Sequence, residues 1–360
     1  MAFDLTNRVR PALVGFEPYD PAFTPCEVNL SANENTHPMP AVVRKAIDQA
    51  LTATPLNRYP DPLANDLRDV LAARHGVTRG NIMVGNGGDE ILFNLFFTFG
   101  GSGRTLVTCP PDFSEYANFA KMCEMPIVNV WRHSEDFSLD VEALIAAGKD
   151  AAMVVVTSPN NPTGNLVDHA VIQRLLDETD ALILVDEAYV EFAAEGTSVV
   201  DWIADNPRLM VLRTLSKAFS CAGLRCGYLV ADPSIVDMLS AIRQIYSVDV
   251  LAQAAAIAAV TERDAFAPVV ADIVAERERL SLHLGNIKRL EQWPSEANFI
   301  LVRVPNASRV RQRLRDEYSI LVRDFSYAPG LANCLRITVG TRQENDLLVD
   351  ALRDLVKEEA

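Results

Sequence analysis

Three short apolar runs, residues 152–157, 181–185 and 209–213, limit what this chain can fold into more than any other feature. Each is rich in β-branched or large aliphatic residues and lacks apolar–polar alternation. Such a strand is buried on both faces, as in a parallel sheet covered by helices. Each run is followed by polar residues. Ser158-Pro159-Asn160-Asn161-Pro162-Thr163-Gly164 follows the first, Asp186-Glu187-Ala188-Tyr189 the second and Thr214-Leu215-Ser216-Lys217 the third. In open α/β sheets that edge is where ligands bind.

The rest of the chain supports an α/β class. Helical patterns are expected at 41–53, 65–75, 90–97 and 115–123, with strands at 81–84 and 105–108; residues 226–230 continue the strand series. This alternation predicts a doubly wound, mostly parallel domain running to about residue 250. A long helix at 265–284 follows. Strand 299–304, helix 308–317, strand 335–339 and a helix from Glu344 then form a smaller α+β domain. Pro11, Pro18, Pro21 and Pro25 make residues 1–30 an extended arm that joins it. The expected division is 45–255 for the large domain, with 1–44 and 256–360 forming the small one.

Composition narrows the function. A net charge of −15 argues against nucleic acid or an anionic membrane as partner, and would repel an anionic substrate unless arginines reverse the field locally. Residues 1–16 lack a signal-peptide core, and the longest apolar stretch, 248–260, is too short to span a bilayer. The six cysteines form no CxxC pair and no Cys/His cluster, so neither disulfides nor a metal site is expected and a cytoplasmic home fits.

Lys217 carries the sharpest chemical signal. It lies among hydroxyl, small and apolar residues with no acid within ten positions. A buried ammonium there would lose its proton readily, as a Schiff-base lysine must. From these residues alone it reads equally as a loop lysine. Asn-Pro-Thr-Gly is also a good turn, and an aspartate after a strand is a common cap. Gly85-Asn86-Gly87-Gly88-Asp89-Glu90 follows a strand and opens a helix, where backbone amides can hold a phosphate. It is neither GxGxxG nor a P-loop, and a plain tight turn remains open.

Taken together, SPNNPTG (158–164), VDEAY (185–189), TLSKAF (214–219) with AGLRCGY (222–228), and the GNGGDE turn (85–90) resemble the class I/II aminotransferases of fold type I, which depend on pyridoxal 5'-phosphate. LSANEN (30–35) and NRYPD (57–61) belong to the same match, and LVRDFS (321–326) followed by CLRITVGT (334–341) resembles the histidinol-phosphate branch of that family, as does Tyr246-Ser247-Val248. The resemblance implies that Lys217 holds the cofactor and moves the proton, that Asp186 contacts the pyridinium nitrogen, and that Tyr189 and Asn161 bond the ring's phenolic oxygen. Phe113 would stack on the ring. Ser216, Arg225 and the amides of Gly87, Gly88 and Asp89 would hold the phosphate, joined by Tyr59 from a neighbouring subunit, so a homodimer is implied. Arg323 and Arg336, expected at strand ends, would grip carboxylate and phosphate, and Tyr19 and Asn33 would close over the substrate. The implied reaction moves an amino group between histidinol phosphate and 2-oxoglutarate, giving imidazole acetol phosphate and glutamate, in histidine biosynthesis. An aromatic amino-acid aminotransferase shares almost all these motifs, and a threonine-phosphate decarboxylase also needs a phosphate grip. A Rossmann oxidoreductase is disfavoured by the missing GxGxxG.

Overall fold

The computed structural model describes residues 8–16 and 24–358. Its larger sheet is built from β2 (Ile82–Asn86), β3 (Leu106–Thr108), β4 (Ile127–Asn129), β5 (Met153–Thr157), β6 (Leu182–Asp186), β7 (Leu209–Thr214) and β8 (Cys226–Val230), which follow a first short strand, β1 (Val28–Leu30). The order across the sheet is β2-β8-β7-β6-β5-β3-β4. The smaller sheet adds β9 (Glu291–Gln292), β10 (Phe299–Arg303), β11 (Ile320–Asp324) and β12 (Cys334–Thr338), in the order β1-β11-β12-β10-β9. The helices are α1 (Ala41–Ala53), α2 (Asn65–His75), α3 (Gly87–Phe99), α4 (Glu115–Met122), α5 (Val141–Gly148), α6 (His169–Glu178), α7 (Pro233–Ile242), α8 (Val250–Thr261), α9 (Ala267–Gly285), α10 (Ala307–Tyr318) and α11 (Arg342–Glu358).

The unalternating strands are explained by burial on two sides. On β5, Val154 and Val156 face one core while Met153 and Val155 face another; β6 and β7 divide their residues the same way. Helices α2, α5, α6 and α8 cover the first face, and α3, α4 and α7 the second. A third core, under the small sheet, takes Leu30 from β1, Ile337 from β12 and Leu352 from α11. Helix α9 spans the two sheets, with Ile273 in the first core and Leu280 and Leu284 in the third. Strand β1 pairs in parallel with β11, tying the chain's early segment to the small sheet.

Three expectations need correction. Strand β8 does not continue the parallel series: it runs antiparallel to both β2 and β7. Helix α3 starts at Gly87, before the expected Glu90, so its first turn contains both glycines. Glycine is a poor helix former in an interior but costs little in a first turn, whose N–H groups are unpaired within the helix. Arg336 is not at a strand end; it is the central residue of β12. Helices α5, α6, α7 and α8 are absent from the sequence expectations. Each nevertheless opens on an aspartate, Asp140, Asp168, Asp232 or Asp249, whose carboxylate accepts a first-turn N–H. Among the described residues, no helix is long and apolar enough to cross a membrane.

Candidate active site

The ends of β5, β6 and β7 and the start of α3 surround one cavity of about 180 Å³. Gly88, Asp89, Phe113 and Asn161 line it on one side of the sequence motifs, and Asp186, Tyr189, Ser216, Lys217 and Arg225 on the other. Nine of the expected site residues are therefore wall residues of a single space. The parallel register makes this possible: Thr157 stands beside Asp186 on adjacent strands, so consecutive strand ends deliver their side chains at one level.

Asp186 is buried in the cavity wall, 5% exposed. Its Oδ2 accepts the Tyr116 hydroxyl at 2.6 Å and its Oδ1 the Ala188 N–H at 3.0 Å. Burial pushes its pKa up to about 6, against the pull of those two hydrogen bonds. A carboxylate so placed favours a cationic partner, which would bring it down again. Lys217 Nζ donates to the Ala32 carbonyl at 3.0 Å. Burial lowers its pKa to about 8, aided by the nearby Arg336 charge.

Tyr189 is packed edge-on against Phe299, with centroids 5.0 Å apart. Its hydroxyl accepts from Asn33 Nδ2 at 3.0 Å. Asn33 is itself fixed, since Thr338 Oγ1 accepts from its backbone N–H and Asn298 donates to its carbonyl. Of the two adjacent asparagines, Asn160 is structural, donating to Pro111 O and Thr163 Oγ1. Asn161 turns to the site, where its Oδ1 accepts from Arg336 Nη1 at 2.6 Å. Arg336 also donates to Ser31 O at 2.7 Å and lies over the Phe299 and Phe325 rings. Arg323 does not line the cavity, but stands directly opposite Arg336 in the β11–β12 register.

At the other end, Arg225 bonds Asp89 at 3.1 Å beside the first turn of α3. Gly87 has φ +76°, a left-handed conformation that glycine adopts without strain, and a Cβ there would stand 2.6 Å from Arg225 Nη2. A Cβ on Gly227 would meet Gly87 C and Gly88 N at 2.7 Å. These glycines leave a cradle of helix-start amides next to Ser216 and an arginine, the donor set an anionic phosphate requires.

Another expected residue stands apart. Tyr59 is 82% exposed and stacks on Tyr246 with centroids 4.7 Å apart, outside this cavity. Tyr19 lies outside the described residues. Tyr116, Thr157 and Ser31 were not anticipated. The available signal for Tyr116 was its place three residues after Phe113, where the two rings meet edge-on at 5.5 Å.

Comparison with known proteins agrees with this geometry. The family described as "Aminotransferase class I and II" matches residues 26–352. A histidinol-phosphate aminotransferase of a Thermoanaerobacter species is 37% identical over 357 residues, covering 98% of this chain and 99% of the relative. The crystal structure of a histidinol-phosphate aminotransferase from Sinorhizobium meliloti, in complex with pyridoxal-5'-phosphate, superposes with a TM-score of 0.89 at 27% identity, covering 100% of this chain and 99% of that one. An L-threonine-O-3-phosphate decarboxylase from Porphyromonas gingivalis superposes at 0.82 with 28% identity, covering 92% and 99%, so this fold also serves a different reaction. From its near-complete match to the family and its full-length relatives, this chain belongs to the class I and II aminotransferases.

Proposed function

We propose that this chain transfers the amino group of L-histidinol phosphate to 2-oxoglutarate, using pyridoxal 5'-phosphate held between Lys217 and Asp186. The observation that carries the cofactor assignment is one cavity joining a lysine of lowered pKa, a dry carboxylate and a glycine cradle. The dry carboxylate fits a ring nitrogen at one end, and the helix-start amides that Gly87 and Gly227 allow to pack close to Arg225 fit a phosphate at the other. When bound, the cofactor supplies an aldehyde that condenses with amines and a ring that draws electrons from the adjacent carbon.

The chain's residues do the remaining work. Lys217, with a pKa of about 8, is near the balance point at which an amine can both take and return a proton. Asp186, steadied by Tyr116 and Ala188, holds a proton on the ring nitrogen by its charge. Tyr189, oriented by Asn33, and Asn161 offer hydrogen bonds to the ring's phenolic oxygen. Phe113 packs on the ring face. The amides of Gly87, Gly88 and Asp89, with Ser216 and Arg225, grip the phosphate.

The substrate assignment is supported by Arg323 and Arg336. Two arginines directly opposite on neighbouring strands set two cationic forks at one place, the donor type that grips phosphate or carboxylate. They also reverse locally the negative field of a chain with net charge −15. The reading includes histidine biosynthesis in the cytoplasm, a large unit of 45–255 with the remainder as the small one, an arm whose Tyr19 closes over the substrate beside Asn33, and a homodimer in which the exposed Tyr59 reaches the partner's phosphate site.

The test is a half-reaction on the purified yellow protein. Histidinol phosphate alone should bleach the colour fast and phenylalanine slowly. The reverse order would make this an aromatic aminotransferase, and carbon dioxide release from threonine phosphate would make it a decarboxylase.

A further inference from the structure

Behind Asp186 lies a hydrogen-bonded chain that the expected site residues do not include. Tyr116, on α4, is 1% exposed, and its ring is held edge-on by Phe113. Its hydroxyl lies 2.6 Å from Asp186 Oδ2 and 2.9 Å from Thr157 Oγ1. Thr157 is 3% exposed and pairs in register with Asp186. The direction of this chain follows from proton counting. An ionised carboxylate only accepts, and a tyrosine has one proton to give. Tyr116 therefore donates to Asp186, and the Tyr116–Thr157 contact must run the other way, with the threonine hydroxyl donating. Each bond polarises the next toward the carboxylate.

We propose that Tyr116, oriented by Thr157, is a positioning residue for amino-group transfer: its hydroxyl steadies the Asp186 carboxylate so that the shared proton stays on the cofactor's ring nitrogen. The proposal rests on the reading that pyridoxal phosphate sits against Asp186. Without the tyrosine proton, a carboxylate this dry would draw the shared proton to itself, and the ring would drain electrons less well. Among the influences on Asp186, the Tyr116 bond is the largest opposing the effect of burial, ahead of the Ala188 amide. Tyr116 does not line the cavity, and Tyr116→Phe keeps the ring that meets Phe113, so loss of the hydroxyl should leave substrate binding alone.

The test uses holoenzymes carrying Tyr116→Phe, Thr157→Val and both, loaded with pyridoxal phosphate labelled with 15N in the ring. For Tyr116→Phe, kcat should fall about tenfold, the equivalent of one pKa unit, with KM for histidinol phosphate unchanged within about twofold. Its ring 15N resonance should move toward that of neutral pyridine. Thr157→Val should move both readouts the same way by less, and the double variant should match Tyr116→Phe alone. A loss of kcat with an unmoved resonance would reduce Tyr116 to a packing residue, and multiplying effects in the double variant would overturn the relay. Should Tyr116→Phe not fold, Thr157→Val, which keeps the buried tyrosine, gives the same readout, and an unmoved resonance there overturns the proposal. A parent protein that takes up no pyridoxal phosphate would instead sink the reading on which it rests.

Discussion

Asp186 is placed where its charge is hard to keep, and that has a measurable cost. Its folded pKa, about 6, lies above the ordinary 3.8, so the native chain binds more protons than the unfolded one between those values. In the cofactor-free protein stability therefore falls as pH rises through that window, and the full penalty is present above pH 6. Asp186→Asn should raise neutral-pH stability of the cofactor-free chain by about 3 kcal/mol, an advantage that fades as pH falls toward 3.8. Thermal unfolding across pH would show it. The same change should cut turnover by about 10²–10³-fold, because the fixed negative charge is gone. At this scale the sequence is readable where function demands a residue type at a strand end, as at Lys217. It is silent about Tyr116, whose partner is 70 positions away and whose aromatic ring reads as ordinary core.

Among elements, the start of α3 and the strand β8 must pass almost in contact. Gly227→Ala would drive a methyl into the Gly87–Gly88 peptide, and neither backbone can yield without moving the phosphate cradle. The expected loss is about 1–3 kcal/mol of stability with weaker cofactor retention, read by thermal unfolding and cofactor titration. The β11–β12 pairing makes a different prediction. Arg323→Ala should raise KM for histidinol phosphate by about 10–100-fold, the scale of a lost charge-assisted bond, while phenylalanine turnover changes by less than about threefold. Equal losses for both would make Arg323 structural. The strands of the large sheet other than β4 were legible because burial on both faces leaves an unbroken apolar run. The direction of β8 was not, since such a run reads the same either way along a sheet. Strands β1, β4 and β9 are two or three residues long, too short to impress a period on the sequence.

At the scale of the whole molecule, Tyr59 is the most exposed large hydrophobic among the described residues. A large aromatic left 82% exposed and stacked on Tyr246 fits a surface awaiting a second copy. If sites are shared, Lys217→Ala and Tyr59→Ala homodimers should each be impaired, yet regain activity on subunit exchange. A mixed dimer concentrates both lesions in one site and leaves the other intact, so equal mixing should restore about a quarter of the activity. No recovery, with exchange verified by mass, would place each site within one chain. The two-sheet α/β architecture could be anticipated from the sequence; contacts such as Arg336 with Asn161, across 175 positions, could not, because pairing over that distance leaves no local pattern.

The antiparallel turn-back of β8 places Lys217 and Arg225 on one short connection, stapled at its base where Thr214 pairs with Gly227 and Leu215 donates to Cys226. The proposed covalent tether and the proposed phosphate grip would thus be two points on a single clasp. A protease nick between Ser220 and Leu224 would leave both strands in their sheet, yet let the two anchors drift independently. The cut protein should stay folded and lose its colour.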